Sequence, residues 1–540
     1  MLLLACTALL SLLCLVTASS VVDLGYAKYR GNNSFPNTVA YLGLPYAEPP
    51  VGDLRWRAPL PLDTARVRQQ ARGAVIDATS YPNFCIQGST GNGDAGGAGS
   101  EDCLKVNVYA PASAKKGDKC KPDNDLCLVP VLVYIHGGGY VYGNPANWPF
   151  DHWIHQEPSV VIVSVYYRLD SFGFLSHPAF ASSPSLGDLN VGFSDQTLAL
   201  KWVQEHISAF GGDPTRVTIN GESAGGSSVE LHLVASGQQG LFHQAIAQSV
   251  YRTPLPSPQQ QEPLFNFFAD KAGCGGLKTL SATMSCLRKA PVSALAPAQD
   301  AAFNGSYNAF HPVFDGKIIP LRPTPSILSG RFAKVPLIVG ATSNETLSGG
   351  SDLDTPLKAF FPALAQADLA EYNQVYALSK FDNASQQIRV ATGESELRCA
   401  IMAGAYASRE PANTFTYRYN TPNPTSGDPL VEHASENWMM FLGTNTGFNG
   451  TTTFSPMTPS EQAFASELIA YWLSFVRSGN PNTFKLARAP TWPAYSPGTA
   501  HRIVLTEGTA TASGSTVETI TAEERQRCAF VASKAKSHQA

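Results

Sequence analysis

Gly221-Glu222-Ser223-Ala224-Gly225, a G-x-S-x-G pentapeptide, is the segment that most constrains how this chain can fold. A strand pattern, Arg216 to Asn220, runs into it, and a helical pattern leaves it from Ala224. A strand that reverses directly into a helix needs small residues on both sides of the turn. The turn lifts the central hydroxyl above the sheet edge, at a helix N-terminus. The chain must therefore contain a sheet with helices behind its strand ends. Four more apolar runs read as strands: Val129 to His136, Ser159 to Val165, His243 to Ser249 and Val335 to Gly340. Between them, Asp195 to Phe210 has helical spacing, with Leu198, Trp202, Val203 and Ile207 on one face. Short apolar strands separated by helices predict an α/β protein with a mostly parallel sheet covered on both faces. No internal repeat is present, and Gly88 to Gly99 reads as a surface loop. We expect one catalytic domain over 21–540, with helical insertions between about Pro254 and Phe475.

Leu2 to Val16 is almost entirely Leu, Ala, Val and Cys, and Thr17-Ala18-Ser19-Ser20 follows. A short apolar run ending in small residues reads as a signal peptide over 1–20 and implies secretion. The run carries no Lys or Arg ahead of it, and it is shorter than the ~20 apolar residues of a membrane span. No later stretch is apolar enough to span a bilayer, so no integral membrane segment is expected. The charged fraction is 15% and the formal net charge −4, with no basic block. That excludes a charge-rich disordered chain and leaves nucleic acid without an electrostatic attraction.

Of 10 cysteines, Cys6 and Cys14 leave with the leader, and 8 remain. An even number in a secreted chain implies disulfides, although eight cysteines allow on the order of 100 connectivities. Spacing suggests Cys85 with Cys103, Cys120 with Cys127 and Cys274 with Cys286, which leaves Cys399 with Cys528. No C-x-x-C occurs, so a zinc site is not favoured and no metal is expected. Asn32, Asn304, Asn344, Asn383 and Asn449 begin glycosylation sequons.

The pentapeptide makes Ser223 a candidate nucleophile. A serine attacking a carbonyl needs donors for the oxyanion it creates. The Ala224 N–H follows directly, and His136-Gly137-Gly138-Gly139 ends a buried strand, so Gly138 and Gly139 are the other candidate donors. No Gly-Lys-Ser/Thr follows, against a phosphate loop. His136 belongs to the motif itself and reads as a packing residue. In a strand–elbow–helix hydrolase the order is serine, acid, histidine. His232 and His243 lie too close to the elbow, His501 opens a strand pattern, and His538 lies in a polar tail. His433 sits in a loop ahead of a helical Glu436 to Phe441, against the alternative of a solvated histidine. Glu345 follows a strand end and a short loop, which puts a carboxylate at the sheet edge that also carries the serine. Asp315, Asp352 and Asp354 are its rivals.

These residues sit in longer motifs that resemble the type-B carboxylesterase/lipase family, the cholinesterase-like branch of α/β-hydrolases, in a fungal-type form. Tyr41-Leu42-Gly43-Leu44-Pro45-Tyr46 resembles the family's opening motif, and Glu101-Asp102-Cys103-Leu104 its cysteine motif, with an unusual Lys105. Tyr167-Arg168-Leu169, Asn190-Val191-Gly192 and Phe210 through Gly225 fit as well. The resemblance implies Ser223 as nucleophile, Glu345 as acid and His433 as base. It also implies Gly138, Gly139 and Ala224 as the oxyanion hole and Glu222, Ser249 and Glu436 as supporting polar residues. It matches the pairs 85–103, 274–286 and 399–528 to family disulfides and leaves Cys120 and Cys127 without a counterpart. Thr346 stands after Glu345 where the family usually has Gly.

The resemblance implies a serine esterase that needs no cofactor and acts on a small-molecule or lipid ester. Short acyl, lipid or steryl, and feruloyl-type aromatic esters all remain open. The Cys85–Cys103 loop holds no aromatic residue, which discounts the cation-binding Trp of cholinesterases. Non-catalytic adhesion members lack the serine. Six of the 17 residues in that loop are Gly, and Ile86 is its only large apolar side chain. An amphipathic lid helix needs an apolar stripe, so a short rim and an accessible gorge are expected, with Pro254 to Phe268 as the alternative lid.

Overall fold

The computed structural model describes residues 20–88, 99–113, 128–303, 310–399, 413–446 and 452–540. The expected leader, Cys120, Cys127, the sequons at Asn304 and Asn449, and most of the Cys85–Cys103 loop lie outside the described residues.

Among the described residues the main sheet has eleven strands. They are β1 (Asn32–Phe35), β2 (Thr38–Pro45), β3 (Lys105–Pro111), β4 (Val129–Ile135), β5 (Val161–Val165), β6 (Gly212–Glu222), β7 (Gln244–Gln248), β8 (Leu337–Thr342), β9 (Thr414–Tyr419), β10 (His501–Leu505) and β11 (Thr516–Thr519). Their order is β1-β2-β3-β5-β4-β6-β7-β8-β9-β10-β11. From β5 to β10 every pairing is parallel; the pairings outside this block are antiparallel. This is the α/β-hydrolase arrangement.

The parallel strands β4, β5, β7 and β8 are rich in apolar residues because each feeds two cores. Along β4, Val131, Val133 and Ile135 face one apolar cluster, and Leu132 and Tyr134 the other. In β8, Leu337 and Val339 point to the first cluster and Ile338 to the second. The period of two thus distributes side chains between layers instead of separating core from solvent. Helices α1 (Val191–His206) and α2 (Ala224–Val234) contribute to the first cluster, and α5 (Pro459–Ser478) covers the second. Helix α5 starts with a capping box between Thr458 and Glu461, with Pro459 in its first turn. Helix α3 (Pro258–Lys271) uses the same device, with Ser257 and Gln260.

Helices fill much of the region from Pro254 to Phe475, and the strand expected at Val335 to Gly340 is β8; β9 lies in the same region and was not expected there. Thr414–Tyr419 (TFTYRY) alternates β-branched and aromatic residues and is a strand by its own propensity. The antiparallel strands β1 to β3 also went unread. Among the described residues three disulfides, Cys85–Cys103, Cys274–Cys286 and Cys399–Cys528, are formed. The last ties the turn Glu394–Arg398 to α6 (Ala522–Ser533).

Candidate active site

Parallel strands bring their C-terminal ends to one edge, and the candidate residues gather there. Ile135 of β4 pairs with Gly221, and Glu222 at the end of β6 pairs with Gln248. Ser223 is the next residue and caps α2 with φ 58° and ψ −123°. A non-glycine residue in such a conformation costs on the order of 1–3 kcal/mol and needs surrounding structure to hold it. Its N–H donates to the Gln248 carbonyl at 3.0 Å, and its own carbonyl accepts from the Ser227 N–H at 2.9 Å. The flanking glycine is forced by space: a Cβ at Gly225 would lie 2.0 Å from the Ile135 carbonyl oxygen.

The loop after β4 lies against the serine. A Cβ at Gly137 would come 2.6 Å from the Glu222 carbonyl oxygen and 3.0 Å from Ser223 Cβ. Gly138 and Gly139 have φ of 105° and 61°. The N–H groups of Gly138, Gly139 and Ala224 make no hydrogen bond among the described residues. Three backbone donors beside a serine hydroxyl suit a developing oxyanion. His136, the base the motif could have suggested, is buried instead. It stacks on Tyr167 with ring centroids 4.5 Å apart, and burial lowers its pKa to about 4.

His433 Nε2 lies 2.9 Å from Ser223 Oγ, and His433 Nδ1 lies 2.8 Å from Glu345 Oε2. Glu345 is fully buried at the end of β8. Its Oε1 accepts from the Thr342 N–H at 3.1 Å and from the Ser249 hydroxyl. The Thr346 hydroxyl, next to this acid, bonds Thr392 Oγ1 at 2.8 Å and the Ser348 carbonyl at 2.7 Å. The loop beyond the acid is thereby tied to the helix Ala384–Gly393. The rival acids do structural work. Asp315 accepts from the Lys317 and Ile319 N–H groups, Asp352 from the Thr355 N–H, and Asp354 from Asn373.

Three further carboxylates surround the histidine. Glu222 Oε1 is 3.4 Å from His433 Nε2, while its Oε2 accepts from Asn437 Nδ2 at 3.3 Å. Glu436, on α4 (Ser435–Met440), faces Gln248 and Tyr417. Burial raises the Glu222 pKa to about 7, against the pull of His433. Burial, reinforced by Glu222 and Glu345, raises that of Glu436 to about 8. Glu396 is likewise pushed up to about 7 by burial. Glu345 goes the other way. Burial would raise it, but His433 and the hydrogen bonds from Ser249 and Thr342 hold it below the ordinary value. For His433 burial alone would lower the pKa, and the Glu345 and Glu222 charges outweigh it and raise it. Glu345, the carboxyl that bonds His433 Nδ1, is thus the one of these groups held below the ordinary value, while the others are pushed above it.

A cavity of about 650 Å³ opens beside the site. Its wall includes Gly139, Tyr251, His311, Leu264, Phe360 and Gln539, and among the described residues no Asp, Glu, Lys or Arg lines it. His311 is held neutral by burial, with its pKa lowered to about 4, and its Nδ1 lies 3.1 Å from Thr253 Oγ1. Neither Thr253 nor His311 stands in any motif of the sequence. Only proximity to the cavity reveals them.

An α/β-hydrolase sheet with a serine elbow, a glycine-rich donor loop and a paired Glu–His defines a class of hydrolytic enzymes. The chain belongs to the carboxylesterase family, whose model matches residues 18–530, and it is a carboxylic ester hydrolase. It is 31% identical over 502 residues to the para-nitrobenzyl esterase of Bacillus subtilis (strain 168), covering 90% of this chain and 94% of that one. It is 29% identical over 506 residues to the chlorogenic acid esterase of Aspergillus niger, covering 88% of each. The crystal structure of Aspergillus niger EstA superposes with a TM-score of 0.82 at 30% identity, covering 97% of this chain and 99% of that one. The family and fold implied by the sequence motifs therefore hold. Among the described residues, no helix is long and apolar enough to cross a membrane.

Proposed function

We propose that this hydrolase works by serine catalysis, with Ser223 as nucleophile, His433 as general base and acid, and Glu345 as the carboxylate that orients the imidazole. The observation that carries this reading is the continuous chain from Ser223 Oγ through both ring nitrogens of His433 to Glu345 Oε2, at 2.9 and 2.8 Å. Glu345 fixes the tautomer with the proton on Nδ1, so the Nε2 lone pair faces the serine hydroxyl. Ser223 Oγ bonds to the ester carbonyl carbon, its proton passes to Nε2, and the carbonyl electron pair moves onto oxygen. The N–H groups of Gly138, Gly139 and Ala224 stabilise that oxyanion. The intermediate collapses, the C–O bond to the alcohol breaks, and His433 returns the proton to the departing oxygen. Water then attacks the acyl-serine by the same route. Glu222, Ser249 and Glu436 support the histidine and the acid, and the scheme needs no cofactor.

The cavity lining supports neutral esters as substrates. Tyr251 and Phe360 provide ring surfaces in it, in keeping with aromatic esters such as those named for the two curated relatives. The apolar run Leu2 to Val16 and the three disulfides support a secreted enzyme whose catalytic domain spans 21–540 after a leader over 1–20.

The test is Ser223→Ala with p-nitrophenyl acetate as substrate. Turnover should fall by at least ~10³-fold with the fold intact, and an organophosphonate should label Ser223 alone in the parent enzyme. Retained turnover, or labelling at another residue, overturns the scheme.

A further inference from the structure

The segment Lys534 to Ala540 reads in sequence as a polar tail, yet it is anchored at both ends. Lys534 Nζ pairs with Asp368 at 3.0 Å and Glu371 at 2.9 Å. His538 is fully buried; its ring stacks on Phe361 with centroids 4.1 Å apart, and its Nε2 lies 2.9 Å from the Tyr372 hydroxyl. The Gln539 carbonyl then accepts from the Leu255 N–H at 2.8 Å. These contacts deliver the Gln539 side chain into the wall of the cavity shared with Gly139 and Tyr251.

There it meets Gln260 of α3. Gln539 Nε2 donates to Gln260 Oε1 at 3.0 Å, and the same oxygen accepts from the Ser257 N–H at 2.8 Å. A side-chain amide offers two donors and one acceptor oxygen. With Gln260 Oε1 occupied twice, the Gln260 NH2 group and Gln539 Oε1 carry no hydrogen bond among the described residues. Both residues line the cavity. Gln260 is exposed and Gln539 half-buried, so the pair presents a free donor and a free acceptor side by side at the cavity rim, in a lining that has no charged residue among the described residues.

We propose that Gln260 and Gln539 form a substrate-binding pair that selects esters carrying a neutral hydroxyl away from the scissile bond. A hydroxyl both accepts from the Gln260 NH2 and donates to Gln539 Oε1, so one group satisfies both amides. A bound ester that covers the pair displaces its water, so a methyl in place of the hydroxyl leaves both amides unpaired and the hydroxyl analogue is favoured. The proposal rests on the serine-esterase reading of the same site and adds the substrate class to it.

The hydroxyl can belong to the acyl group or to the alcohol, and two matched substrate pairs distinguish them. One pair is p-nitrophenyl 6-hydroxyhexanoate with p-nitrophenyl heptanoate; the other is 4-(hydroxymethyl)phenyl acetate with 4-ethylphenyl acetate. The readout is the ratio of kcat/KM within each pair. In the pair whose hydroxyl reaches the amides, Gln539→Leu should lower the ratio about tenfold. Gln260→Glu, which keeps the acceptor needed by the capping box but removes the donor, should lower it as well. Ratios within twofold of the parent enzyme in both pairs, for both variants, overturn the proposal. Organophosphonate labelling of Ser223 in each variant reports a folded site. Absence of labelling in the parent enzyme overturns the serine scheme instead, so the two failures are told apart.

Discussion

Glu222 Oε1 lies 3.4 Å from His433 Nε2, the ring nitrogen that also faces the Ser223 hydroxyl. A negative charge there stabilises the imidazolium and so raises the pH at which His433 becomes a base. For kcat/KM the rising limb reports the free enzyme's base. Glu222→Gln removes the charge, destabilises the protonated ring and should move that limb to lower pH. A pH–rate profile of the variant beside the parent enzyme checks it. An unmoved limb, or one moved upward, contradicts the electrostatic role assigned to Glu222.

Gly393 closes a helix whose end abuts the acid. A Cβ there would sit 1.8 Å from the Glu345 carbonyl oxygen, so the backbone of one of the two must move. Gly393→Ala should lower kcat by roughly 10–100-fold through misplacement of the carboxylate. Circular dichroism should show the fold retained. Unchanged kcat would mean that the acid tolerates displacement.

Cys399 and Cys528 are 129 residues apart, and the bond between them closes the largest loop of the three disulfides. Replacing both by Ser should cost on the order of 3–5 kcal/mol, read as a lower midpoint in denaturant. Peptide mapping of the unreduced protein should recover the pairs 85–103, 274–286 and 399–528. Free thiol at any of these positions contradicts the pairing.

Access to the gorge is expected to need no lipid surface. The alternative lid, Pro254 to Phe268, runs into helix α3, whose apolar face is already occupied. Phe268 packs on Trp56 and Phe310, and Phe265 on Phe180. Rates on a short-chain ester should follow simple saturation across its solubility limit. A sharp rise at that limit would show that a covering segment opens.

The elbow and the glycine loop were legible in the sequence because their constraints are local: close approach of backbone at Gly225 and Gly137 admits only one residue type. Glu345 and His433 were legible only in part. A strand end and a loop position narrowed the choice, and motif resemblance completed it. The strand Thr414–Tyr419 carried a period-two signal that went unread beside more apolar runs. His538 could not have been placed from its neighbours in the chain. Its burial depends on Phe361 and on Tyr372, 166 residues away, and a polar residue goes inside only when such partners wait for it. The same applies to Gln539, whose meaning comes entirely from Gln260, 279 residues earlier.

The bond between Cys399 and Cys528 also imposes an order on biosynthesis. Cysteine pairs 18 and 12 residues apart can close almost as soon as both partners leave the ribosome. Cys399 must wait for 129 more residues, on the order of 10 s at ordinary elongation rates. Through that interval the last three strands of the sheet, β9 to β11, are still being made, and the thiol is open to a wrong partner. The enzyme's maturation is therefore gated at its C-terminal helix, and an oxidant that acts too early works against it.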